Sequence, residues 1–217
     1  MATDRVIRPE ILDHLPSSDS RAGRARRDLR TINALMGNVR WIGRALGDAM
    51  KNSALPPTAR LVELGAGDGG LCRKVVGWFP SARITGLDLA PRPPDLPKTI
   101  SWRQGDLLDN LPHCEGECVF GVMILHHFRD DQLGKLGETA SGYRALCFCE
   151  PWRARFPHLL GLLIRPLCGS VTRHDLPASI DAGFVRGELP QALGLKNWEI
   201  RESIDWRGSL RLLAWKG

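Results

Sequence analysis

The stretch 61–70, LVELGAGDGG, restricts the possible folds more than any other part of the chain. An apolar, β-rich run stops at Gly65, Gly67, Gly69 and Gly70 and then passes into a helical pattern over Gly70–Trp78. Glycines at those positions permit left-handed backbone and let a ligand approach the main chain closely. A strand, a tight turn and a helix whose first amides face the turn form the repeating unit of a parallel sheet with crossover helices.

The rest of the chain keeps that rhythm. Strand-like runs are expected at Arg60–Leu64, 82–88, 99–103, 118–125 and 143–149, with helices over Gly70–Trp78 and 130–142. A helix to residue 162, a polar loop at 172–175, a helix at 188–195 and strands at 198–204 and Ser209–Trp215 should follow. Arg207 and Gly208 between the last two runs predict an antiparallel hairpin. The chain has 217 residues, 43% hydrophobic and 25% charged, which fits a folded domain and excludes disorder, collagen and coiled coil. The pair Pro56 and Pro57 divides an N-terminal helical extension or lid, 1–55, from the main domain, 56–217.

Charge is concentrated at the front. Residues 1–55 hold ten Lys or Arg against six acids, and 56–217 hold twenty against eighteen. Within the basic part, Leu29, Ile32, Leu35, Met36, Val39, Ile42 and Leu46 recur at helical spacing. That pattern predicts one amphipathic helix packed on the main domain, with membrane-surface contact and nucleic acid as lesser alternatives. The apolar run at 156–167 is broken by charge, proline and glycine, so no transmembrane segment is expected. The start of the chain lacks a signal-peptide core, and a cytoplasmic protein is expected. Six cysteines are read as reduced thiols. A zinc set of Cys114, Cys118, Cys147, Cys149 and His113 has poor ligand spacing, so no metal is expected.

Glycine spacing alone leaves two ligands open, because Gly65, Gly67 and Gly70 with Asp88 also match a dinucleotide fingerprint. Acidic residues separate them. Glu63 precedes the turn and Asp68 lies in it, which opposes a pyrophosphate and suits a cationic ligand. Asp88 ends the second strand run, where it can accept from ribose hydroxyls, and Asp106 follows the third, where it can accept from an adenine amino group.

The segments VELGAGDGG (62–70), GLDLAP (86–91), QGDLLD (104–109) and VFGVMILHHF (119–128) together resemble the class I S-adenosylmethionine-dependent methyltransferases. The resemblance implies a Rossmann-like α/β fold, a seven-stranded sheet of order 3-2-1-4-5-7-6 with an N-terminal helical extension, and S-adenosyl-L-methionine as cofactor. It implies that Glu63, Gly65, Gly67 and Gly69 border the methionine part, Asp88 the ribose, Asp106 and Leu107 the adenine, and that Leu89 covers the adenine face. At the fourth strand, Cys118 and Val119 replace an acid common in the family. RRDLRTINALMGN (26–38), ILHHF (124–128), TRHD (172–175) and GELPQALGL (187–195) are similar to small bacterial methyltransferases of small molecules.

A donor of that kind carries an activated methyl, so catalysis rests on alignment and exclusion of water, worth about 7–11 kcal/mol. A hydroxyl acceptor gains from a base, and the candidates are His127 and His126 after the fourth strand, and His174 beside Asp175. The expectation is methyl transfer to a small phenolic, quinol or polyketide-type hydroxyl, with carbon methylation as a variant. Alternatives are a protein or nucleic-acid methyltransferase, a non-catalytic cofactor-binding partner, and a nicotinamide oxidoreductase. One tyrosine and no D-P-P-Y or N-P-P-Y segment disfavour nucleic acid.

Overall fold

The computed structural model describes residues 4–16, 19–52 and 54–217. Three helices come first: α1 (Ile11–His14), α2 (Ser20–Met36) and α3 (Asn38–Lys51). The alternating part runs β1 (Arg60–Leu64), α4 (Gly70–Trp78), β2 (Arg83–Asp88), β3 (Ile100–Gln104), α5 (Leu107–Asn110), β4 (Cys118–Val122), α6 (Asp130–Ala140) and β5 (Ala145–Pro151). Then follow α7 (Arg155–Ile164), α8 (Ser170–Ala182), α9 (Glu188–Ala192), β6 (Glu199–Asp205) and β7 (Ser209–Trp215). The strands form one sheet in the order β3-β2-β1-β4-β5-β7-β6, as expected. β1 to β5 pair in parallel, and β7 runs antiparallel to both β5 and β6.

Neighbouring residues of one strand feed opposite cores. Leu61 joins Phe120, Ile84 and Val75 on one face, while Val62 and Leu64 join Val119, Leu87 and Phe148 on the other. Helices cover both faces, which is why the central strands are continuously apolar. All seven residues of β5 are buried, and Glu150 is among them.

The N-terminal helices belong to this core. Ile42 and Leu46 of α3 are fully buried in the cluster that holds Leu61 and Phe120, each contributing about 1.5–3 kcal/mol. The single amphipathic helix expected over 29–46 is instead two helices. Gly37 takes φ 71, a left-handed cap that ends α2, so Leu35 falls outside the apolar stripe and is 64% exposed. Arg207 and Arg211 of the β6–β7 hairpin donate to the carbonyls of Leu35 and Met36, satisfying the end of α2.

Two other expectations fail locally. The polar loop at 172–175 is helical and lies within α8, despite Pro177 inside the same helix. Tertiary bonds outweigh the proline: Thr172 donates to Asp28 of α2, and the Asp175 carboxylate accepts from the Ile11 and Leu12 amides of α1. The strand expected over 118–125 stops at Val122, because Met123 takes φ 55 and turns the chain into a 3-10 turn, Leu125–His127.

Candidate active site

The sheet brings the sequence candidates to its C-terminal edge, where ligands bind in open α/β sheets. β1 ends at the glycine turn, in which Gly65, Gly67 and Gly69 have φ values of 65, 57 and 70. Gly67 faces open space, since a Cβ there would meet no atom within 4 Å. The Asp88 carboxylate at the end of β2 accepts from the Gly67 amide at 2.7 Å and the Ala90 amide at 2.8 Å. Asp88 therefore shapes the turn, and each oxygen keeps a second lone pair for a ligand hydroxyl. Leu89, next in the chain, is 71% exposed, an apolar side chain with one face free to cover a flat ring.

Asp106 follows β3 and caps α5, accepting from the Leu108 amide at 2.8 Å. Leu107 places its side chain in the core, so only its backbone faces the edge. Asp68 is exposed, but its charge is engaged by Arg30 of α2 at 2.7 Å and by the Gly70 amide. That exposed ion pair links α2 to the turn.

Glu63 is the unusual group. It is 4% exposed, and its Oε2 has no hydrogen-bond partner. Burial pushes its carboxyl up to about 8, opposed by a hydrogen bond with the Cys72 side chain of α4 and reinforced by Asp88 and Asp68. An orphaned, buried carboxyl oxygen beside a glycine turn is a fitting partner for a ligand ammonium.

The histidines are tied to this turn through Ile124, whose Cδ1 lies 2.7 Å from where a Cβ on Gly65 would stand. His126 is 3% exposed, and its Nδ1 is 2.9 Å from the Glu150 carboxylate. Glu150 also accepts from the amides of Ile124, Leu125 and His126, fixing the whole 3-10 turn. The other ring nitrogen, Nε2, is 3.6 Å from Glu10 on the N-terminal segment. Burial alone would lower the His126 imidazole, but Glu10 and Glu150 outweigh it and push it up to about 9. Burial would likewise raise Glu10, yet His126, His127 and Ser179 hold it below the usual carboxylate range. His127 stacks beside His126 with ring centroids 4.2 Å apart, and its Nδ1 is 3.4 Å from Asp13 of α1.

His174 is set apart from that pair. Its ring is 59% exposed on α8 and its Nδ1 faces Asp175 at 2.9 Å. Among the described residues the ligand atoms of Glu10, His126 and His127 lie within 4.8 Å of one another, close enough to hold a metal ion. Buried thiols at Cys118, Cys147 and Cys149 form no such cluster.

Sequence reasoning missed Glu150, Glu10 and Arg5. Glu150 had a readable signal, a lone acid inside the apolar run ALCFCEP. Arg5 had none: its guanidinium donates to the carbonyls of His126 and Phe128 and lies 4.4 Å over the Phe184 ring, across more than a hundred residues of chain.

A family model for the O-methyltransferase domain matches residues 22–145. The chain belongs to that family. Within this O-methyltransferase domain the match runs from α2 to the start of β5 and so includes the glycine turn, Asp88, Asp106 and both adjacent histidines. No curated protein matches the sequence. Among solved structures, human N-acetylserotonin methyltransferase in complex with SAM is 18% identical with a TM-score of 0.57. That likeness covers 94% of this chain and 61% of the human one, so the domain spans about three fifths of that protein's length. The plantazolicin methyltransferase BamL, in complex with a triazolic desmethylPZN analog and SAH, is 10% identical with a TM-score of 0.72, covering 94% and 92% of the two chains. An O-methyltransferase family protein from Burkholderia thailandensis is 16% identical with a TM-score of 0.55, covering 91% and 63%. No helix among the described residues is long and apolar enough to cross a membrane.

Gly67→Arg is expected to abolish binding of S-adenosyl-L-methionine while the far-UV circular dichroism of the fold is retained. The new side chain would occupy the open space over the turn, at a backbone cost of about 1–2 kcal/mol for leaving glycine at positive φ. Calorimetric titration of the variant checks this, and undiminished affinity would remove the turn from the binding site.

Proposed function

We propose that this domain transfers a methyl group from S-adenosyl-L-methionine to a hydroxyl of a small phenolic, quinol or polyketide-type molecule. The observation that carries the reading is the contact of Ile124 with Gly65, which sets a carboxylate-oriented histidine turn directly beside a glycine turn backed by an unpaired buried carboxyl. Family membership and the SAM and SAH named with the structural neighbours support the same cofactor.

In this reading Glu63 receives the ammonium of the methionine part, the Gly65–Gly67–Gly69 turn lies along it, Asp88 accepts from the ribose, and Asp106 with the Leu107 backbone meets the adenine under Leu89. Bound there, S-adenosyl-L-methionine supplies a methyl already activated on a sulfonium. The chain's own part is to orient the acceptor and receive its proton. His126 is the better-oriented base, because Glu150 fixes the ring through Nδ1 and leaves Nε2 directed toward Glu10 of the N-terminal segment, in the manner of a base held by a third group. His127 borders the same space, while the exposed His174 ring has the weakest geometric support.

With Glu10 against Nε2, His126 holds its proton at neutral pH and cannot accept another. Proton transfer therefore requires the N-terminal segment to move, which makes the 1–55 extension a lid and wall of the acceptor pocket. Glu10→Gln is expected to lower the His126 pKa toward 6.5 and shift the ascending limb of the kcat profile to lower pH by at least one unit. An unshifted profile would return Glu10 to a packing role.

The reading is tested by incubating the protein with methyl-labelled S-adenosyl-L-methionine and a panel of phenols and quinols. Labelled ether and S-adenosylhomocysteine in equal amounts are expected. Binding of the cofactor with no transfer to phenols, quinols, peptides or RNA would favour a non-catalytic partner, and binding of NADH instead would end the proposal.

A further inference from the structure

One face of the molecule is apolar where solvent should be. In α7 and the 3-10 turn after it, Leu159, Leu162, Leu163 and Leu167 are 58%, 56%, 75% and 78% exposed. Pro157 and Gly161 form the buried side of the helix, so the leucines are the side left over. A contiguous apolar patch of this kind on a folded protein marks an interaction surface.

Charge selects the partner. Residues 151–174 contain no acidic residue, and apart from the buried Arg153, which is paired with Glu188, their arginines are Arg155, Arg165 and Arg173. Arg24 of α2 reaches the same face, donating to the Leu167 carbonyl at 3.4 Å, and both Arg24 and Arg173 stand close enough to Cys168 to act on its thiol. The acids nearest this face are already engaged. Asp28 accepts from the Gly169 amide and the Thr172 hydroxyl, and Asp181 is paired with His158 and Arg8. Leucines flanked by arginines suit a surface with negative headgroups above hydrocarbon. A second copy of the chain would bring two basic faces together, which like-charge repulsion opposes.

A slot between α7 and α8 opens on the same face. Gly161, Leu162, Leu176, Pro177 and Ile180 line about 200 Å³, with His158 and Arg165 completing its rim. Its apolar walls suit the end of a hydrocarbon chain, and Arg165 at its rim suits an anionic head.

We propose that the α7 face, with Arg24 and Arg173, docks this protein on the surface of an anionic lipid bilayer. The leucines enter the boundary between headgroups and acyl chains, and the arginines contact the anionic headgroups. The proposal stands apart from the methyl-transfer reading, since binding to vesicles needs no cofactor or acceptor.

The test is co-sedimentation of the full chain with vesicles of phosphatidylcholine alone and of phosphatidylcholine with phosphatidylglycerol. Binding to the anionic vesicles is expected, with at least a tenfold smaller partition to the neutral ones. The pair Leu163→Glu and Leu167→Glu, and separately the pair Arg24→Glu and Arg173→Glu, should each lower partition to anionic vesicles at least tenfold. All four side chains are exposed, so unchanged circular dichroism and melting temperature confirm that the variants fold. No vesicle binding at low salt, or binding indifferent to the leucine pair, overturns the proposal. So does a dimer in sedimentation velocity that the leucine pair dissolves, because the face would then cover a second copy.

Discussion

Glu150→Ala is expected to destabilise the fold by about 3–5 kcal/mol, the cost of removing one member of a buried, hydrogen-bonded charge pair. Glu150 is fully buried at the end of β5 and accepts four hydrogen bonds, three from backbone amides and one from the His126 ring. Alanine fills none of these, so the Leu125–His127 turn is left with unpaired donors in a dry environment. The partner makes a pH signature available. His126 is held at about 9 against an ordinary 6.5, so its stabilising contribution is complete below pH 6.5 and is lost as pH rises through about 9. The gap corresponds to about 3 kcal/mol. Chemical denaturation across that range should show this alkaline loss in the wild type and a much flatter profile in Glu150→Ala. A variant as stable as the wild type, or equally pH-dependent, would mean that the pair does not hold the turn.

Glu63→Gln is expected to weaken S-adenosyl-L-methionine binding about ten- to hundredfold, since a charge-assisted hydrogen bond contributes about 1.5–3 kcal/mol. The carboxyl sits at about 8 because burial disfavours its charge, so at pH 7 it is mostly protonated. Pairing with a ligand ammonium favours the ionised form, and binding should therefore release close to one proton. Titration calorimetry at pH 7 in buffers of different ionisation enthalpy reads that proton directly, and Glu63→Gln should abolish the buffer dependence. The sign for stability is opposite to that of an ordinary paired acid. The neutral form is the one the fold accommodates, so the contribution is intact below pH 4.5 and disappears as pH rises through 8. Buffer-independent binding heats in the wild type would place the ammonium elsewhere.

The parallel sheet was readable because its signals are local. LVELGAGDGG states strand, turn and helix within ten residues, and the runs that became β1, α4 and β7 match their observed bounds. Asp88 and Asp106 were readable as strand-end acids, although their bonds to the Gly67 and Leu108 amides were not. The misreadings lie where distant segments overrule local preference. Pro177 stays inside α8 because Asp28 and the amides of α1 anchor that helix; at Gly37, by contrast, the left-handed glycine itself ends α2 and splits one apparent helix, leaving its last carbonyls to Arg207 and Arg211.

By itself, then, the amino-acid order determined the sheet, the glycine turn after β1 and the acids around it, since each depends on residues close together in the chain. Only the tertiary structure decided which histidine is gripped, by Glu150 from the next strand and Glu10 from the far N-terminus, and it alone showed that Glu63 has an oxygen without a partner. Burial and ionisation depend on what packs against a group, and those neighbours are drawn from everywhere in the sequence.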